Sequence, residues 1–216
     1  MPSRQGPFQF FDRAEAGRYL SVALGHYTAR PDAIVLGLPR GGVIVAAQVA
    51  KGTQLPLEVV VCRKIRSPGQ PELARGALAV WGERVSVVRN AQVADALRLG
   101  EDFDADQHHE LDAARARAAE WSPTPPDITG QVAIVVDDGL ATGATMRAAL
   151  DVLRAAGAGR LVVAVPVAAE RELADMRRRA DEVVCVYVPP RFVSVGSHYV
   201  DFDQIADAAV GRALAR

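Results

Sequence analysis

Five short runs of apolar, largely β-branched residues constrain this chain more than any other feature: Ala33 to Leu38, Leu57 to Cys62, Val132 to Val136, Arg160 to Val167 and Glu182 to Val188. None shows the polar alternation of a strand with one wet face, so each reads as a strand covered on both sides. Stretches of helical period separate them. Residues 12–26 place Ala16, Tyr19, Leu20, Ala23 and Leu24 on one face, and Val43 to Lys51 reads as a helix stopped by Gly52. A helix over about 144–156 aligns Met146, Ala149, Leu150 and Leu153 before Gly157, and another is expected from Glu170 to Arg179. Strands alternating with helices predict an α/β fold, a five-stranded parallel sheet with helices on both faces. At 216 residues and 50% hydrophobic content the chain builds one such domain.

Three regions depart from that rhythm. Residues 63–90 begin with RKIRSPGQPELARG, rich in proline and glycine, and read as a flexible loop that leads into a β-hairpin turning at Gly82-Glu83. A connection of that length suits a lid, so residues 66–75 are expected to order when substrate binds. Residues 92–121 form a helical insertion broken near Gly100, followed by the Pro-rich linker SPTPPDITG. Residues 189–216 lie beyond the last strand.

Composition removes several classes. The formal net charge is −1, which weighs against a dedicated nucleic-acid binder. Cys62 and Cys185 each sit inside an apolar run without the spacing of a metal site or a disulfide scaffold, and read as small buried hydrophobes. His108 and His109 are adjacent on a polar helical stretch, diverge by about 100°, and make no i, i+4 metal pair. Arg177 to Arg179 read as the solvated end of their helix. The N-terminus carries no apolar secretion core and no run approaches the ~18 apolar residues of a membrane span, so a soluble cytoplasmic protein is expected.

The chemistry concentrates in VAIVVDDGLATGATMRAAL at 132–150: a buried strand, two acids, a Gly/Thr turn and a helix start. Such a turn aims successive backbone amides and a helix N-terminus at one point, an anion site suited to phosphate. Neither a Walker A loop nor a GxGxxG fingerprint is present. Asp137 and Asp138 beside a phosphate loop are electrostatically odd unless they face hydroxyls or a cation. A sugar phosphate meets both demands, with its phosphate on the amides and its diol on the acids. A second loop, GLPRGGV at 37–43, ends the first strand; Gly41 and Gly42 admit a ligand close to the backbone, and Arg40 supplies a charge-assisted donor. Third is RKIRSPGQPE at 63–72, which puts Arg63 and Lys64 at the exit of the second strand, where α/β sheets place ligands.

VVDDGLATGAT resembles the phosphoribosyl-pyrophosphate (PRPP) motif of the type I phosphoribosyltransferases, and the other landmarks follow in that family's order over nearly the whole chain. GLPRGGV, RK-x-x-x-PG-x-PE and DDGLATGAT together resemble one group of phosphoribosyltransferase-like proteins. The resemblance implies Mg²⁺-dependent transfer of ribose 5-phosphate from PRPP to a nitrogenous base, with release of pyrophosphate. It implies a 5′-phosphate site at Ala141, Thr142, Gly143, Ala144 and Thr145, and a pyrophosphate site at Arg40, Gly41, Gly42 and Arg63 with a non-proline cis peptide near Arg40. Asp137, Asp138 and Lys64 are then the catalytic residues, the two acids holding Mg²⁺ only indirectly, through ribose or water. Ala141 stands where hypoxanthine/guanine members carry an acid, which turns the likeness toward the adenine and orotate branches. The segment from 189 onward is expected to form a hood over the acceptor, with Phe192 and Tyr199 as contacts and His198, Asp201 and Phe202 nearby; Glu72 is a further acceptor contact or proton acceptor. PRPP and a small nitrogenous acceptor are the expected ligands, and a homodimer the expected assembly. The alternative is a non-catalytic PRPP- or nucleotide-sensing regulator on the same fold.

Overall fold

A computed structural model describes residues 8–67, 70–89 and 103–215, with backbone alone at 67 and over 70–74. Helix α1 (Arg13–Ala23) opens with a reciprocal cap: the Asp12 carboxylate accepts the Glu15 amide at 2.6 Å, and Glu15 accepts the Phe11 amide. Strand β1 (Ala33–Gly37), helix α2 (Gly41–Thr53) and strand β2 (Leu57–Val59) complete one βαβ unit. Strands β3 (Val61–Ser67), β4 (Gln70–Trp81) and β5 (Arg84–Arg89) follow, then helix α3 (Phe103–Trp121). The second half alternates regularly: β6 (Val132–Val136), α4 (Ala144–Ala155), β7 (Arg160–Val167), α5 (Glu170–Met176) and β8 (Glu182–Tyr187). A terminal segment ends in α6 (Asp207–Leu214).

The five predicted strands form one parallel sheet in the order β2-β1-β6-β7-β8. Every residue of β1 and β6 is buried, as strands without polar alternation require. One apolar layer packs beneath α4, and the other lies beneath α1 and α2. Pairing of Gly37 with Val136 ends the two central strands at the same level, so the loops that follow them leave one edge side by side.

Details depart from the sequence pattern. Leu57 to Cys62 is not one strand: Val60 still donates to the Gly37 carbonyl at 3.2 Å, but from Val61 the chain peels away and pairs with β4 in a separate antiparallel sheet, β3-β4-β5. Pairing continues through Ser67, so the segment read as a loop from residue 63 is extended backbone over 63–67 and from 70 onward. The signal lay in an alternation hidden by charge, with Ile65 buried between exposed Lys64 and Arg66. The Gly82 turn has the left-handed backbone (φ 57°) expected of that hairpin.

On α1, Tyr19 and Ala23 face solvent; Ala16, Gly17, Leu20 and Leu24 make the buried stripe. Gly17 sets that rotation, since a Cβ there would stand 2.6 Å from the Val45 carbonyl oxygen on α2. Helix α2 starts two residues before Val43, and α5 stops at Met176, three residues short of Arg179. Of the insertion, residues 103–121 form α3, packed on β3 and β4; the break near Gly100 lies outside the described residues.

Candidate active site

The two glycine-bearing loops meet at the carboxyl edge of β1 and β6. The Pro39–Arg40 peptide is cis, and α2 starts immediately after it. A Cβ on Gly41 would overlap Asp138 Oδ2, and one on Gly42 would lie 2.8 Å from the Asp137 Cα. The glycines therefore serve the fit between the two loops.

Asp137 and Asp138 differ in their company. Asp137 Oδ1 accepts the Asp138 amide at 2.8 Å. Its carboxyl is held well above the ordinary carboxylate range, first by burial and then by the neighbouring Asp138 charge, against the pull of Lys64 and Arg13. Asp138 is also raised by burial, but Arg13 opposes that with an Nε contact at 2.8 Å. Arg13 is fixed in turn: it donates to the Asp203 carbonyl at 2.9 Å, and its guanidinium lies 3.8 Å from the centre of the Phe202 ring. Sequence reasoning missed Arg13, because a first-turn arginine on a helix far from either motif carries no local mark.

The Gly/Thr turn joins β6 to α4. Gly143 is left-handed (φ 67°) and caps α4. Ala141 and Thr142 are exposed, Thr145 is half-buried, and Ala144 is buried. Arg147, also unmarked in the sequence, braces the turn by donating to the Thr142 carbonyl at 2.9 Å while pairing with Asp175 at 3.0 Å.

On the other side of Arg40 opens a cleft of about 400 Å³ lined in part by Arg40, Cys62, Arg63, Lys64 and Thr145. The structure thus brings Arg40, Arg63 and Lys64 together with one end of the phosphate turn. Cys62 is buried and its thiol is pushed up by that burial, in keeping with a packing role. Cys185, half-buried on β8, is pushed up to about 11 for the same reason. His108 and His109 are exposed on α3.

The terminal segment approaches from the Asp138 side. Tyr199 is buried and donates its hydroxyl to the Asp138 carbonyl at 2.6 Å, so its link to the site runs through the backbone of the acid pair. Phe192 is half-buried and stacks on His198 at 5.6 Å. The side chain of Glu72 lies outside the described residues.

A parallel sheet whose carboxyl edge carries a glycine-capped turn, a buried acid pair and a basic loop is the α/β arrangement in which ligands bind beyond the strand ends. Residues 13–199 match the phosphoribosyl transferase domain family, and the chain belongs to that family. It is 44% identical over 206 residues to proteins of Mycobacterium tuberculosis strains H37Rv and CDC 1551 that are provisionally named phosphoribosyl transferases. The match takes in 93% of this chain and 45% of theirs, so the chain spans less than half the length of these curated relatives. Among solved structures, the protein TT1426 from Thermus thermophilus superposes with a TM-score of 0.75 at 37% identity, covering 96% of this chain and 98% of that one. AQ2163 from Aquifex aeolicus shares the fold at 12% identity and a TM-score of 0.51, covering 94% of this chain and 84% of that one. Among the described residues no helix is long and apolar enough to cross a membrane.

Proposed function

We propose that the chain transfers ribose 5-phosphate from PRPP to a nitrogenous base of the nucleobase kind and releases pyrophosphate. The observation that carries this reading is the abutment of Gly41 on Asp138, which joins a basic loop, an acid pair and an amide turn into one site. The turn at 141–145 would receive the 5′-phosphate on its amides. Arg40, the amides of Gly41 and Gly42, and Arg63 would hold the pyrophosphate, with Lys64 between it and the acids. Asp137 and Asp138 would accept hydrogen bonds from the ribose diol. In the reaction the C1–oxygen bond to pyrophosphate breaks, its electron pair leaves with the pyrophosphate, and the acceptor nitrogen supplies the pair for the new bond. Positive charge develops on the ribose, and the acid pair would offset that charge.

Mg²⁺ belongs to this reading. Among the described residues no cluster of three or more His, Cys, Asp or Glu could form a metal cage. Two acids, one engaged by Arg13, suit a cation carried mainly by substrate phosphates and water. When bound with PRPP it would neutralise charge on the leaving group. A cytoplasmic homodimer is the setting we propose.

The decisive test pairs binding with turnover. Replacing Asp137 and Asp138 together by Asn should lower Mg·PRPP affinity by roughly ten- to a hundredfold per lost contact, the worth of a charge-assisted hydrogen bond. Thermal unfolding measured alongside shows that the fold persists. Unchanged affinity in a folded double variant would refute the assignment. Pyrophosphate release that depends on one base from a panel identifies the acceptor, whereas tight PRPP binding without release would favour a sensing role.

A further inference from the structure

The cleft beside Arg40 has walls that the three sequence motifs do not describe. Helix α3 brings Glu110, Arg117 and Trp121 to it, and α6 brings Asp207. Each of those acids is set against a cation. Glu110 pairs with Nε of Arg63; Asp207 pairs through one oxygen with Arg117, while its other oxygen lies 3.8 Å from Arg40. Arg40 and Arg63 are the two arginines assigned above to pyrophosphate, so both face a protein carboxylate before any ligand arrives.

These contacts are poorly placed to stabilise the fold. The side chains of Arg40 and Arg63 are 47% and 36% exposed, and ion pairs that wet contribute little. Their larger effect is on the local field. Lys64 and Arg66 also line the cleft, so cations still outnumber acids and a polyanion remains attracted. The acids hold that attraction down. Asp207 can yield Arg40 to a ligand and keep Arg117, while Glu110, bound at Nε, leaves the terminal nitrogens of Arg63 available.

Resting on the pyrophosphate reading, we propose that Glu110 and Asp207 are resident counter-ions that lower the cleft's affinity for a pyrophosphate-like polyanion, so that the product is released rather than trapped. Helices α3 and α6, which the motifs leave without a role, would then set the release of the leaving group.

Titration calorimetry with inorganic pyrophosphate in Mg²⁺ buffer tests this on the full chain and on Asp207→Asn, Glu110→Gln and Arg40→Gln. Removing one negative charge a few ångströms from a polyanion should tighten binding about threefold or more in each acid variant, with the gain fading as salt rises. Arg40→Gln should bind more weakly. If Arg40→Gln weakens binding but both acid variants bind as the parent or worse, the acids are positioning groups and the inference fails while the pyrophosphate site stands. If Arg40→Gln binds as well as the parent, the pyrophosphate assignment itself is wrong. Thermal unfolding accompanies each variant, and Glu110→Gln, inside a long helix, carries the test should Asp207→Asn lose α6.

Discussion

The two sheets of this molecule share apolar packing and differ in the charge that borders it. In the parallel sheet, β1 and β6 are buried along their whole length and bound by apolar contact on both faces. The antiparallel sheet also packs α3 through apolar residues, Ile65, Leu78 and Val80 in one cluster with Phe103 and Ala114, and adds a fringe of ion pairs: Arg75 to Asp106, Arg63 to Glu110, and Arg89 to Asp104, with Arg89 also 4.2 Å from the centre of the Phe103 ring. The first sheet fixes the loops that carry Asp137 and Arg40 whatever the solution contains. The second presents Lys64 on an arm whose apolar packing is bordered by ion pairs, so that its edge can respond to salt and to ligand.

That contrast can be broken most forcefully at its apolar end. Ile134→Ala, in the middle of β6, should cost about 2–5 kcal/mol by denaturant unfolding, with no dependence on salt; a smaller loss would mean that the sheet centre repacks. Next is Arg75→Met on β4. Its guanidinium is buried, but Asp106 is 36% exposed, so the loss should be about 2 kcal/mol, below the ~3–5 kcal/mol of a fully buried pair. If α3 remains as protected from hydrogen exchange in that variant as in the parent, charge does not hold the arm.

Asp137→Asn should act with the opposite sign. Burial raises the carboxyl of Asp137 in the folded protein above its unfolded value, so the folded state binds the extra proton. Stability is then lost as pH rises through the folded value and is fully present below the unfolded one. The Asn variant should melt higher than the parent at neutral pH, and the gap should close as pH falls toward about 4, the ordinary aspartate range. An equal gap at every pH would remove burial of the charge as its cause. The smallest effect is expected for Tyr199→Phe, which deletes one hydrogen bond to the Asp138 carbonyl: about 0.5–1.5 kcal/mol, together with weaker Mg·PRPP binding. Loss of stability without loss of affinity would make the tyrosine purely a tie for the terminal segment.

The same division explains what could be read in advance. Uninterrupted apolar runs announced the parallel sheet, and the Gly82-Glu83 turn announced the hairpin of β4 and β5, because both are local rules of backbone and burial. The end of β2 at Val59 was illegible, since Val60 to Cys62 are as apolar as the residues before them and only the long-range pairing with β4 separates the sheets. Arg13 and Arg147 were illegible for a related reason. Each contacts its loop through the fold, and nothing in the neighbouring sequence distinguishes it from a solvated arginine. The exposure of Tyr19 was decided by Gly17, whose lack of a side chain lets α1 settle on α2 at a different rotation from the one hydrophobicity alone suggests.

The chain's two tryptophans sit in different surroundings. Trp81 is 5% exposed within the main core, while Trp121 lines the cleft, with the Arg117 guanidinium 5.4 Å from its ring and its indole nitrogen without a hydrogen-bond partner. The molecule therefore carries an optical probe at the cleft and an internal reference away from it. A polyanion that draws Arg117 away from the indole will change the emission of Trp121 and leave that of Trp81 alone, so that binding and release can be timed without attaching a dye.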